Sequence, residues 1–191
     1  MAAPKLSLTP AESPLFREAF RSHPAGVAVV TAAGPAGPVG LTASSVASVS
    51  VDPPALAFSV SGGRSAAQLV EARTVVVHLM DADRLDLVRA FATPGVPRFT
   101  DEMDWETLPT GEPWLRQAPW ALRCRIEHRV PVGSSVLLTA IVLDIRMHDD
   151  AGEPLVYHDR AFHSLGQHSI LPWAPPGTPR PDAALYPNVK E

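Results

Sequence analysis

Short runs of apolar and β-branched residues, separated by glycine and proline, set the pattern of the first eighty residues. Runs of this length between turn signals are typical of β-strands. The clearest turn signals are Gly34-Pro35-Ala36-Gly37-Pro38 and Asp52-Pro53-Pro54. The first four strands should form a β-meander, in which consecutive strands are neighbours in the sheet. We predict strands over residues 26–32, 39–44, 46–51, 55–60 and 74–80.

Two later segments alternate between apolar and charged positions, which is the pattern of a half-buried strand. We predict two antiparallel strands, 120–130 and 141–148, joined by the turn at Gly133-Ser134-Ser135. A last hairpin should pair residues 154–158 with residues 161–165. The apolar face of the first segment carries Trp120, Leu122, Cys124, Ile126, His128 and Val130, and that of the second carries Ile141, Leu143, Ile145 and Met147.

Three short helices should accompany the strands. Ser13 suits the N-cap and Pro14 the first helical position of a helix that ends before Pro24. A second helix should open at Gly62-Gly63 and run to about residue 71, and a third should cover residues 81–91. Residues 93–119 form a Pro- and Trp-rich excursion, and loops this long are usually functional. Many short strands with few helices predict one mainly β domain, an antiparallel barrel with Greek-key-like connections.

Composition and charge exclude several classes of protein. The chain has 191 residues, of which 46% are hydrophobic and 19% charged, as in a globular domain with a sizeable core. It has no apolar run of membrane length and no secretory signal at its start, so we expect a cytoplasmic protein with no membrane partner. The net charge of −4 argues against a nucleic-acid partner.

The scarcity of lysine and cysteine narrows the chemistry further. The only lysines, Lys5 and Lys190, lie near the chain ends, so an interior Schiff-base or P-loop lysine is excluded. The glycines between residues 34 and 40 lack the dinucleotide-binding spacing, and no Gly-x-Ser-x-Gly elbow is present. Cys124, the single cysteine, lies on an apolar strand face and should be a buried structural thiol. We therefore predict no catalytic nucleophile, and a bound anion must be met by arginine, hydroxyls or backbone.

Three segments have the chemistry to bind such an anion. Gly40-Leu41-Thr42-Ala43-Ser44-Ser45 combines hydroxyls with backbone amides, Ser61-Gly62-Gly63-Arg64-Ser65 opens a helix beside a cation, and Arg98-Phe99 lies in the excursion. Each also has an ordinary structural interpretation. These are hydroxyls that bond to their own backbone, a capped surface helix, and a solvated arginine.

The segment 157–163 is a candidate metal site because it places His158 and His163 near Asp159. The spacing matches no helical zinc motif. We therefore predict no metal here, but a solvent-facing hairpin tip or an anion-binding pair.

The order of short motifs along residues 16–165 is more specific than any motif alone. The motifs are Phe16-Arg17, the run from His23 to Thr31, Gly40 to Ser45, Ser48-Val49-Ser50, Asp52-Pro53-Pro54, Phe91-Ala92, Arg98-Phe99, Gly111 to Leu115, Leu122-Arg123-Cys124 and Pro154 to His158. In this order they resemble the flavin reductase family. Its members are short-chain FMN-binding split β-barrels that reduce free flavin for two-component monooxygenases. The domain would cover residues 13–166, between an extended arm (1–12) and a Pro-rich tail (167–191).

The resemblance implies a flavin site with a nicotinamide beside it. Thr42, Ala43, Ser44 and Ser45 would hold the ribityl chain and phosphate of FMN or FAD. Ser61, Arg64 and Ser65 would close over the phosphate, and Phe91, Arg98 and Phe99 would line its far side. Pro24, Gly26 and Val27 would lie near the isoalloxazine, and His158 and Arg160 near the nicotinamide of NADH or NADPH.

One motif departs from the family pattern. The family often has Gly-Asp-His at the turn after the Leu-x-Cys strand, with the His near the nicotinamide, and this chain has Gly133-Ser134-Ser135. His158, or a residue of a partner subunit, is the candidate to replace it.

The activity implied is hydride transfer from NAD(P)H to flavin, with no side-chain acid or base required. We expect a homodimer that supplies a flavin-dependent monooxygenase by flavin diffusion. The alternatives are a flavin-binding oxidase or tailoring enzyme without NAD(P)H turnover, and a non-enzymatic module for flavin, heme or deazaflavin.

Overall fold

Residues 13–170 are described by the structure, a computed structural model. The helices are α1 (Ser13–Arg21), α2 (Gly63–Glu71) and α3 (Leu85–Ala92). The strands are β1 (Ala25–Gly26), β2 (Ala28–Gly34), β3 (Gly37–Ala43), β4 (Ala47–Val51), β5 (Pro54–Ser61), β6 (Thr74–Leu79), β7 (Trp105–Thr107), β8 (Pro113–Leu115), β9 (Trp120–Val132), β10 (Ser135–Met147), β11 (Leu155–His158) and β12 (Ala161–Ser164). Every predicted helix and strand is present. The predicted N-terminal arm, and the Pro-rich tail beyond residue 170, lie outside the described residues.

The strands form one large and two small antiparallel sheets. The large sheet has the order β3-β2-β6-β9-β10-β5-β4, and the small sheets are β1-β11-β12 and β7-β8. The predicted hairpins β9–β10 and β11–β12 are confirmed. The predicted meander is wrong, because β3 and β4 lie at opposite ends of the large sheet. The strongly apolar β6 is buried on both faces and therefore takes a place between two neighbours, whereas β3 and β4 become edges.

Side chains from both ends of the large sheet meet in one core. Leu41 and Ala43 of β3 pack in the same cluster as Phe58 and Val60 of β5, with Cys124 of β9 between. Because strands distant in the sheet order share this cluster, the sheet curls around it as the predicted barrel requires. Burial raises the pKa of the Cys124 thiol to about 12, so the thiol is inert as predicted.

The apolar faces predicted for β9 and β10 are buried only in part. Cys124 and Ile126 are buried, but Leu143, Ile145 and Met147 of β10 are exposed. A register irregularity between Val142 and Asp144 precedes this exposed stretch, and β5 pairs with β10 only as far as Ile141. The end of β10 therefore extends past the core and exposes apolar side chains.

Buried polar contacts fix the excursion 93–119 to the large sheet. The Thr31 hydroxyl donates to the carbonyl of Pro113 at 2.6 Å, and the Leu115 amide donates to Nε2 of His78 at 3.0 Å. Arg123 donates through Nε to the buried carboxylate of Glu112 at 3.0 Å. Because all three contacts fall within residues 112–115, this stretch anchors the second half of the excursion to the sheet.

Candidate functional site

A large cavity opens where the end of β3, the start of α2, the end of α3 and the hairpin β11–β12 meet. Its volume is about 1140 Å³. This exceeds the usual range of about 300–1,000 Å³ for small-molecule sites, so it has room for more than one ring system. The predicted site residues that line it are Val27, Thr42, Ala43, Ser44, Ser45, Ser61, Arg64, Ser65, Phe91, Arg98 and Arg160. We call it the first cavity.

Two of the three hydroxyls in the turn 42–45, at the end of β3, bond to other parts of the fold. The Thr42 hydroxyl donates to the carbonyl of Val88 in α3 at 2.9 Å, and the Ser45 hydroxyl accepts from the Ser59 amide at 2.9 Å. Ser44 is exposed, and its hydroxyl makes no hydrogen bond to another described residue. Neither the Thr42 nor the Ser45 hydroxyl bonds to the backbone of its own turn, as the ordinary interpretation expected, but both are used to hold other elements. Ser44 is therefore the hydroxyl best placed to meet a ligand.

Gly40 is required by close packing rather than by its backbone conformation. A Cβ at this position would lie 2.6 Å from Cε1 of Phe91, whose ring is buried. The Gly40 carbonyl accepts a hydrogen bond from Nη1 of Arg98 at 2.8 Å, and the same nitrogen lies 3.3 Å from the Ser65 hydroxyl. Arg98 also lies 5.8 Å from the Phe91 ring centroid. Arg98 therefore ties β3, α2 and α3 together at the cavity wall.

The start of α2 presents uncapped amides to the first cavity. Gly62 and Gly63 have φ of 63° and 80°, and a Cβ on either would meet nothing within 4 Å. No side chain caps this helix, so its first N–H groups remain available. Arg64 is exposed beside them, and among residues 13–170 it makes no ion pair or side-chain hydrogen bond. Free amides at a helix N-terminus next to an unpaired guanidinium suit a phosphate.

Four of the predicted site residues lie outside the lining of the first cavity. Pro24 precedes β1, and Gly26 pairs with Val156 of β11, without reaching the cavity wall. Phe99 packs edge-on behind Phe91, with ring centroids 5.1 Å apart. His158 lines a smaller neighbouring cavity instead. Their roles toward a ligand stay predictions.

The first cavity also has lining residues that sequence reasoning did not identify. Tyr157 and Phe162 come from the hairpin β11–β12, and Pro94, Gly95 and Val96 come from the start of the excursion. The length of the excursion was the available signal for the second group. The hairpin was represented among the predicted residues by His158 and Arg160. Nothing local marks Tyr157 and Phe162, because contact of the hairpin with the cavity depends on its long-range pairing with β1.

The second cavity, of about 380 Å³, lies between α1 and the tip of the β11–β12 hairpin. Tyr157 and Arg160 line both cavities, so the two are adjacent. The lining of the second cavity is Phe16, Arg17, Phe20, Arg21, His23, Tyr157, His158, Asp159 and Arg160.

Two further findings concern metals and membranes. Within residues 13–170, no group of three or more His, Cys, Asp or Glu side chains is arranged to hold a metal ion. In the same part of the chain, no helix combines the length and apolar character needed to cross a membrane.

Comparison with known proteins relates this geometry to a family. The model of the flavin reductase-like domain matches residues 20–166. The NADH:FMN oxidoreductase of Rhodococcus qingshengii is 37% identical over 159 residues, which cover 80% of this chain and 83% of that protein.

Solved structures agree with this assignment. A flavin reductase domain protein from Arthrobacter sp. FB24 has a TM-score of 0.76 at 30% identity, covering 81% of this chain and 96% of that one. The Streptomyces globisporus NADH:FAD oxidoreductase SgcE6, in complex with NAD and FAD fragments, has a TM-score of 0.74 at 27% identity, covering 87% and 100%. BorF, the flavin reductase component of a bacterial two-component tryptophan halogenase, has a TM-score of 0.70 at 29% identity, covering 81% and 98%. The chain belongs to the flavin reductase-like family.

Proposed function

We propose that this chain is an NADH-dependent flavin reductase that passes a hydride from NADH to FMN or FAD. The names of its relatives support the reaction and both substrates. The observation that carries the proposal is the first cavity, which combines uncapped helix amides, an unpaired arginine and space for two ring systems.

The described residues suggest how the flavin is held. Its phosphate would sit at the start of α2, against the amides of Gly63 and Arg64 and near the Ser44 hydroxyl. Val27 and Phe91 supply apolar wall for the ring system, and Arg98 braces that wall from behind. A flavin held there would accept a hydride at N5 from C4 of the nicotinamide, with a solvent proton completing the reduced flavin and NAD⁺ as the other product.

The protein would contribute to this reaction by positioning the nicotinamide ring against the flavin ring. A nicotinamide would enter on the hairpin side, where Tyr157, Arg160 and Phe162 line the first cavity. Stacking two rings in one cleft supplies the proximity on which hydride transfer depends. In place of the Gly-Asp-His turn, Ser135 pairs with Ser61 at the cavity edge, so the turn 133–135 lies beside this cleft.

The test is steady-state NADH oxidation with excess FMN, FAD or riboflavin. We expect NADH consumption that depends on added flavin, together with flavin binding detected by fluorescence quenching. If flavin binds and NADH is not consumed, the flavin-binding oxidase or tailoring enzyme replaces the reductase. If no flavin binds, both fail.

Replacing Arg64 by Ala should weaken FMN binding about 10-fold and leave riboflavin binding nearly unchanged, because only FMN carries the phosphate. Arg89→Ala is the matched control, since Arg89 is an exposed arginine of α3 outside both cavities, paired only with Asp86. Fluorescence titration of each variant with FMN and riboflavin provides the measurement. Equal losses for the two ligands would show that Arg64 does not contact the phosphate.

We also propose that the chain forms a homodimer through the exposed end of β10. Ile145 is 53% exposed and Met147 61% exposed, and beyond Ile141 this strand pairs only with β9. An unpaired strand edge with an apolar face is commonly covered by another chain. Light scattering should give twice the chain mass, and Ile145→Asp should give a monomer. A monomeric parent protein would contradict the proposal.

The acceptor of the reduced flavin would be a separate oxygenase. BorF, a structural neighbour, is described as the reductase component of a two-component halogenase. We propose that this chain supplies a flavin-dependent monooxygenase by diffusion of reduced flavin, in the cytoplasm, where a free thiol such as Cys124 stays reduced. Residues 13–166 would suffice as the reductase domain.

A further inference from the structure

We propose that the second cavity binds the ADP half of NADH, while its nicotinamide half occupies the adjoining first cavity. This inference rests on the proposed reductase function and adds a specific place for the part of the substrate that does not react. It concerns the groove between α1 and the hairpin tip, where Arg17 and Arg160 are the principal cations.

The two cavities contain unpaired positive charge. Most arginines within residues 13–170 are held by an ion pair or a side-chain hydrogen bond to another described residue. Those in this range without one are Arg17, Arg64, Arg73 and Arg160. Three of these four line the two cavities, although the chain as a whole is acidic. Unpaired guanidinium groups gathered in adjoining cavities suit a ligand with several phosphates.

The remaining charges in the second cavity are already balanced. Arg21 lies 3.8 Å from the carboxylate of Asp159 and 3.4 Å from that of Glu18. Asp159, the only carboxylate that residues 13–170 contribute to the lining, is therefore partly neutralised. The net positive character left for a ligand comes from Arg17 on the α1 side and Arg160 on the hairpin side.

Helix α1 presents an exposed aromatic surface beside these cations. Phe16 and Phe20 of α1 are each 60% exposed, and their ring centroids are 4.6 Å apart. Helix α1 has no buried residue, so these rings do not serve the core. A large flat apolar surface next to guanidinium groups suits a purine base attached to phosphate.

The tip of the β11–β12 hairpin is a tight turn that is bonded to the end of α1. Asp159 and Arg160 form a two-residue turn with φ of 45° and 64°, a backbone region that non-glycine residues rarely adopt. The Asp159 amide donates to the carbonyl of Arg21 at 3.1 Å, which ties the tip to the end of α1. A two-residue hairpin loop requires this conformation, and the turn places Arg160 on the wall shared by the two cavities.

The experiment compares NADH with reduced nicotinamide mononucleotide, which carries the same hydride donor but lacks the adenylate. The wild type should oxidise both with added FMN, with a kcat/KM about 10-fold or more higher for NADH. Arg17→Ala should raise the KM for NADH about 10-fold and leave the kinetics with the mononucleotide unchanged. Arg89→Ala on α3 should change neither.

Each outcome bears on one proposal. If the wild type oxidises neither donor, the reductase function fails. If it oxidises both with equal kcat/KM, or if Arg17→Ala affects both donors equally, the reductase function stands and the adenylate site is wrong. Phe16→Ala provides a second, independent variant, since loss of an exposed ring should raise the KM for NADH alone without disturbing the core.

Discussion

Lowering the pH from 7 to 4 should remove about 3 kcal/mol from the free energy of unfolding, because His78 is buried in the neutral form. Burial lowers the pKa of this imidazole to about 4, against a weaker opposing effect of its hydrogen bond to Val29. In the unfolded chain its pKa is about 6.5, so between these values the unfolded state binds the extra proton. The stabilisation is therefore complete above pH 6.5 and is lost as the pH falls toward 4.

The hydrogen bonds explain why the neutral ring is required. Nε2 of His78 accepts from the Leu115 amide at 3.0 Å, so Nδ1 carries the proton and donates to the Val29 carbonyl at 3.0 Å. A second proton on Nε2 would turn this acceptor into a donor, and it would then face the Leu115 amide, which is also a donor. Urea unfolding at pH 7, 5.5 and 4 measures the effect. His78→Gln keeps one donor and one acceptor without titrating, and its stability should change much less with pH over this range; an unchanged pH dependence would assign the effect elsewhere.

The local elements of this fold were predictable because their signals are local. The Ser-Pro start of α1, the glycines that open α2 and the turn at Gly133 between β9 and β10 all lie within a few residues of the elements they define. The order of strands was not predictable in this way. A meander is the simplest arrangement of four consecutive strands, but the separation of β3 from β4 depends on β6, β9 and β10, which come later in the chain.

Part of the lining of the first cavity was also predictable, again where the sequence signal is local. Hydroxyls and glycines near Thr42 and Gly62 indicated an anion site, and the structure brings both segments to one cavity. The sequence did not show that Thr42 bonds to Val88, or that Arg98 bonds to the Gly40 carbonyl, because both contacts cross large separations along the chain. It also did not show that α1 and the hairpin tip enclose a second cavity.

The excursion 93–119 links stability to function. Its first residues line the first cavity, whereas residues 112–115 carry the contacts that hold it to the sheet. Loss of an anchor at one end of this segment should therefore loosen the cavity wall at the other end. A variant of an anchor should lower both the unfolding free energy and the affinity for flavin.

Replacing Arg123 by Ala should produce the largest loss of stability, about 3–5 kcal/mol at pH 7, because it leaves a buried carboxylate without its partner. Arg123 donates to the Oε1 atom of Glu112 through Nε and Nη2, both at 3.0 Å, and the Glu112 side chain is 2% exposed. Burial alone would raise the pKa of Glu112, but the hydrogen bonds from Arg123, Thr110 and Thr74 outweigh it and lower the pKa to about 2. This pair therefore stabilises the fold above pH 4.5 and ceases to do so as the pH falls through about 2.

Arg125→Ala is the matched control for this prediction. Arg125 lies two positions along the same strand and pairs with Glu127 at the surface, where such pairs contribute less than about 1 kcal/mol. The double variant Arg123→Ala with Glu112→Gln should recover part of the loss, because no buried charge is then left unpaired. Urea unfolding with FMN titration on the same samples measures stability and cavity integrity together. Equal losses for Arg123→Ala and Arg125→Ala would mean that the buried pair is no stronger than a surface one.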